Sequence, residues 1–222
     1  MLLTKQEFAS VGLHGSDRVI SDLQLDRCVF TGSFVAQEDD PAFGLVVRNV
    51  IATSCKLVKC SAHGVRFEDV VIEGLATSGM TYIAGSVFKH VKLSGRVGAM
   101  MTTPPDFRIP QDIQDAFVAS IKDFYKDVDW ALDITDAEFS DAEFYYVPGH
   151  LVRRDEKTQF LVHRDRFVSR DLSGLPAFAR HLADRFSQTP FDSFVAVAPK
   201  RSKYFEKHLA ELEVLRSEGL VY

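Results

Sequence analysis

Apolar side chains recur every five residues between Cys55 and Tyr82, and few backbone geometries permit that period. One column reads Leu57, Ala62, Phe67, Ile72, Thr77 and Tyr82; a second, two places earlier, reads Cys55, Cys60, Val65, Val70, Leu75 and Met80. The places between are mostly polar or small, among them Lys56, Lys59, His63, Arg66, Glu68, Asp69 and Glu73. A helix brings its apolar residues round about every 3.6 positions and a flat strand about every 2.0. Two columns locked two apart require a chain that turns a corner once per repeat, so that two side chains of each short segment face one interior. The pattern predicts a coil stacked on itself, each repeat touching only its neighbours.

The rest of the chain extends or interrupts this pattern. Residues 1–17 read as an entry segment, with Gln6 to Val11 a short helix or strand that covers the open end of the stack. Ile20, Leu25 and Phe30 then continue one column and Leu23 and Cys28 the other, so SDLQLDRCVF holds two repeats. VAQEDDPAF, from Val35 to Phe43, reads as a loop thrown out from a corner. The period resumes near Val47 and slips by one residue around Ser86, Phe88, Val91 and Leu93, a slip that a bulge absorbs. Pro104 and Pro105 exclude regular structure in MMTTPPDFRIP. Ile113, Phe117, Ile121, Phe124 and Tyr125 recur at helical spacing after Pro110, predicting a helix over about 111–126 whose apolar stripe packs on the body.

The cleanest repeats follow: Thr135-Asp136-Ala137-Glu138-Phe139, then Ser140-Asp141-Ala142-Glu143-Phe144. TDAEFSDAEF, SDLQLDRCVF and the central columns resemble the pentapeptide repeat family, whose units approximate Ala-Asp/Asn-Leu-x-x. The resemblance covers about 18–34, 46–98 and 135–144. It is divergent and interrupted, with Val or Met in several places where the family prefers Ala or Cys. It implies a right-handed quadrilateral β-helix, four units to a turn. The expected fold is therefore mainly β: a right-handed β-helical solenoid over residues 1–149 with an inserted helix, then a C-terminal α/β unit over 150–222.

That C-terminal unit reads as ββαβα. LVRRD and TQFLVHRDRFV form two strands joined tightly at Glu156-Lys157. Leu175 to Phe186 forms a helix, Phe194 to Ala198 a strand, and Tyr204 to Arg216 a helix ended by Gly219. Its plain role is to cap the solenoid.

Chemistry is harder to find. His163-Arg164-Asp165 copies three letters of a kinase catalytic loop, but Arg170 stands where that loop needs Asn, and neither a Gly-rich phosphate loop nor Asp-Phe-Gly occurs. Cys55 and Cys60 are spaced by the repeat, not as a zinc pair. No metal and no cofactor is expected. Three cysteines argue against a disulfide framework. No signal peptide and no membrane-spanning run is legible, so cytoplasmic residence is the expectation.

Charge is distributed unevenly. Residues 1–152 carry 13 basic against 21 acidic side chains, and 153–222 carry 13 against 10. That balance speaks against direct nucleic-acid binding, which calls for a dominant basic face. Asp127, Asp129, Asp133, Asp136, Glu138, Asp141 and Glu143 crowd one stretch, with no Lys or Arg from 127 to 152. Two readings fit this run: a solvated face, or a landing surface for a protein partner with a basic surface. The second makes the chain a non-enzymatic shielding protein. The resembled family includes DNA-mimicking proteins that protect type II topoisomerases, and similar repeats occur in bacterial immunity proteins that neutralise toxins. The interruptions favour the immunity or antitoxin type. An enzyme with a polar cleft around His150, His163 and Arg166 is the alternative from another class, and an adaptor that forms a homodimer through an uncovered end is a third.

Overall fold

The computed structural model describes residues 1–168 and 170–222. Its strands are β1 (Leu2–Thr4), β2 (Glu7–Ala9), β3 (Gly12–His14), β4 (Arg18–Asp26), β5 (Val29–Thr31), β6 (Phe34–Ala36), β7 (Leu45–Val58), β8 (Ser61–His63), β9 (Arg66–Thr77), β10 (Thr81–Ala84) and β11 (Val87–Thr103). Helix α1 (Gln111–Phe124) interrupts them before β12 (Leu132–Asp133) and β13 (Ala137–Glu143). The remainder is β14 (Val152–Arg153), β15 (Gln159–His163), α2 (Ala177–Phe186), β16 (Ser193–Val197) and α3 (Phe205–Ser217).

The period of five has a local cause. Lys5, Ser10 and Gly15, then Asp17, Asp22, Arg27 and Gly32, then Asn49, Ser54, Lys59 and Gly64 all have positive φ. A left-handed residue every fifth place turns the strand through a corner before the next segment begins. Asp and Asn tolerate that conformation better than most residues with a side chain. Gly64 needs to be glycine for a second reason, because a Cβ there would come within 2.5 Å of the Gln37 carbonyl oxygen.

Successive levels then pair in parallel. Partners lie 20 residues apart at Val47↔Phe67, 21 at Phe67↔Phe88 and 22 at Leu75↔Val97. The expected one-residue slip is thus present, and a second irregularity falls between Ser94 and Val97. Cys28, Cys55, Val70 and Leu75 of one column are fully buried, while Phe30, Leu57, Phe67 and Ile72 of the other pack half-buried against them. All three cysteines are free, and Cys28 and Cys55 are buried.

The closed right-handed β-helical solenoid, however, does not form. The parallel sheet is a curled half-barrel, twisted through 255°. Each strand is rotated relative to its neighbour, and over this many levels the rotation accumulates into a curl instead of a square tube. The entry segment is also different from the expectation. Leu3, Phe8 and Leu13 already follow the five-residue period, and β1, β2 and β3 pair in parallel with β4, β5 and β6 as the first level of the sheet.

The C-terminal strands join the same sheet in place of forming the expected hairpin. β14 pairs in parallel with β12, setting Val152 beside Leu132, so the apolar Val152 is buried in the core. β15 runs antiparallel to β16, and β16 meets β13 at Glu143↔Ala196. Arg164, from the kinase-like triplet, donates to the carbonyls of Phe186, Thr189 and Phe191 and closes the end of α2.

Two tethers fix the outer face near α1. Phe117 is fully buried, edge-on to Phe43 and His63, and the Tyr125 hydroxyl accepts a hydrogen bond from the Phe88 N–H. The expected loop after Val35 is held by buried Gln37, whose amide donates to the carbonyls of Asp40 and Gly64. His63 accepts at Nε2 from the Asp106 N–H, so its Nδ1 carries the proton and donates to the Gln37 carbonyl at 2.7 Å.

Candidate functional site

The seven acidic residues singled out by sequence do not form one surface. Asp127 and Asp129 are exposed on the connection from α1 to β12. Asp129 lies 2.6 Å from His90 Nε2, whose Nδ1 is 3.1 Å from Asp69. The hydrogen bond from His90 holds the Asp129 carboxyl below the usual carboxylate range. Asp133 is half-buried on β12, in register with Lys92 on one side and Arg153 on the other, and its carboxylate accepts the Thr135 N–H. Asp136 accepts from Lys92 Nζ at 3.1 Å. Glu138 is exposed beside Arg96, and Asp141 is exposed beside Ala99.

Glu143 turns the other way. It sits half-buried under α2, 2.6 Å from Arg185 and 3.5 Å from His181. Burial alone would push its carboxyl up, but His181 and Arg185 outweigh it and keep the group below its ordinary range. Lys92, Arg96 and Arg153 lie outside the run in sequence, and only the register of parallel strands sets them among its acids.

A different surface emerges from that register. Gln24, Ile51, Val71 and Lys92 are successive partners in one column on the convex side of the sheet. Ile51 and Val71 stand directly opposite each other and are 47% and 38% exposed. Parallel sheets are normally covered on both faces, so an uncovered β-branched pair at the middle of one is unusual. Acids surround it. Asp26, Thr53 and Glu73 form the next outward column, Asp22 and Asp69 stand at the adjoining corner, and Asp133 and Asp136 extend the rim beyond Lys92. Arg27 pairs with Asp26 at 2.7 Å, and Arg153 stacks on Trp130 at 4.2 Å. Sequence reasoning missed Ile51 and Val71. The available signal was that each stands one place before an inward residue, Ala52 and Ile72, where a polar side chain is the rule.

At the junction considered for a reaction, two of the three residues meet on the ring of Tyr222. His150 is exposed, His163 is half-buried against the Tyr222 ring, and Arg166 lies over that same ring at 5.4 Å. The pocket that does form between β13 and α2 has a volume of about 20 Å³, room for a single water. It is lined by Glu143, Tyr145, His181 and Arg185, with their charges already paired. Among the described residues, no group of three or more His, Cys, Asp or Glu is placed to hold a metal ion. Among the described residues, no helix is long and apolar enough to cross a membrane.

No family model matches this chain, and neither the comparison with curated proteins nor that with solved structures finds a match.

Proposed function

We propose that the protein is a non-enzymatic binding protein that docks a basic protein partner on the convex face of its sheet. The observation that carries this reading is the Ile51–Val71 pair, apolar and uncovered, within a rim of Asp22, Asp26, Asp69, Glu73, Asp133 and Asp136. An apolar centre supplies desolvation on contact, and a charged rim steers the encounter and selects against acidic partners. Sequestration of the immunity or antitoxin type is the form this reading takes, because a rigid face suits holding a partner better than transforming it.

The test is capture of the partner from the native host, followed by titration of the purified pair. Ile51→Ser with Val71→Ser should weaken binding mainly through faster dissociation. Glu73→Lys with Asp136→Lys should slow association and flatten its salt dependence. A partner bound equally well by both double variants would overturn the assignment of this face.

A further inference from the structure

The concave side of the same sheet lines a cavity of about 430 Å³ that docking on the convex face leaves unexplained. Its origin is visible at one level of the stack. Val47, Ala52, Leu57 and Ala62 fill four successive inward positions, and two of them are alanines. The partners of Ala52 on the neighbouring levels are Leu25 and Ile72, and those of Ala62 are Val35 and Ile83. Both alanines line the cavity, so the level that carries them is its wide part.

The lining is apolar in effect as well as in composition. Among the described residues, none that lines it is charged. Ser33 Oγ accepts the Val11 N–H and donates to the Thr31 carbonyl, and Thr102 Oγ1 accepts the Tyr146 N–H. Cys55 and Cys60 direct their thiols to the carbonyls of Leu25 and Phe30. These polar atoms are thus engaged by backbone and turned away from a ligand.

One end is open and the other shut. Leu3, Phe8 and Leu13 line the cavity from β1, β2 and β3, are half-buried, and belong to strands that each have a single partner. At the far end Leu132 and Phe144 are 1% and 2% exposed.

We propose that this cavity binds one unbranched hydrocarbon chain, entered from the edge formed by β1, β2 and β3. An apolar cavity of about 150 Å³ stays dry and takes up benzene. This one is nearly three times larger, which corresponds to a chain on the order of 16 carbons. Its length agrees. From Leu3 through Leu25, Ala52 and Ile72 to Leu93 there are four inter-strand steps, about 19 Å at the usual strand spacing, close to the extended length of such a chain. With no charged group among the described lining residues to hold a headgroup, the chain itself is what is recognised.

The experiment is a fluorescence titration of the full chain with cis-parinaric acid, followed by displacement with palmitate and with hexadecanol. Saturable binding at one site is expected, with the two competitors equal within a few fold. Ala52→Leu with Ala62→Leu fills the wide level. It should bind roughly tenfold more weakly, the loss of about two buried methylenes, while its thermal midpoint stays level or rises. Leu13→Trp, placed at the open edge, gives a second block should the filled variant not fold. Absence of saturable binding by the wild type, strong preference for one headgroup, or equal binding by the blocked variants would each overturn the proposal.

Discussion

His90 Nε2 lies 2.6 Å from Asp129 Oδ1, and the two residues are 39 positions apart in the chain. The contact ties the connection after α1 to a corner of β11, beside the backbone bonds from His90 N to Trp130 O and from Val91 N to Ala131 O. Asp129→Ala should therefore speed amide exchange at His90 and Val91 while leaving exchange in β7 and β9 unchanged. The hydrogen bond from His90 holds the folded Asp129 carboxyl below the ordinary aspartate range, so its contribution is present above about pH 4 and is lost as pH falls through the lower, folded value. Protection that is identical in the variant at neutral pH would show the contact to be idle.

Phe117 anchors α1 to the sheet, fully buried against Phe43 and His63. Phe117→Ala should cost about 4 kcal/mol, the transfer of an aromatic ring plus the cavity it leaves. Urea denaturation measures this. A loss below about 1 kcal/mol would mean that the helix settles back onto the sheet without its anchor.

Glu143 links stability to pH. Burial raises its folded carboxyl, but His181 and Arg185 outweigh that and hold it below the ordinary glutamate range. Its stabilisation is complete above about pH 4.5 and fades as pH drops through the folded value. Glu143→Gln leaves Arg185 half-buried without its counter-charge, at a cost of about 2 kcal/mol at neutral pH. Wild type and variant should converge as pH falls through the folded value, as read from urea midpoints across the acid range. Parallel curves would remove the pair from the account of acid sensitivity.

The convex face should tolerate change without loss of fold. Ile51→Ser and Val71→Ser remove side chains that are 47% and 38% exposed, and each should shift stability by about 0.5–1 kcal/mol at most. Thermal melts check this before any binding is read. A large loss would mean the pair is structural, and the docking face would need another centre.

Much of the fold could be read in the repeat itself. The columns through Phe67, Ile72, Val70 and Leu75 lie on strands and face the concave side, and Phe139 and Phe144 are buried, as a period of five requires. Helix α1 stands where the spacing of Ile113, Phe117 and Ile121 puts it. The pairing of β14 with β12 was not legible, because a two-residue strand has no period of its own. The acidic run was legible as letters but not as a surface. Lys92 and Arg153 become neighbours of Asp133 only when strands far apart in sequence come into register.

The sequence by itself determined where the chain turns and which side chains face inward, because a left-handed residue at every fifth position is a local property of the backbone. The tertiary structure alone decided that the sheet curls without closing, since twist accumulates across many strands and no single repeat records the sum. It likewise decided which charges are neutralised and how wide the cavity is. Both depend on side chains from different levels meeting across the register, as Ala52 does with Leu25 and Ile72.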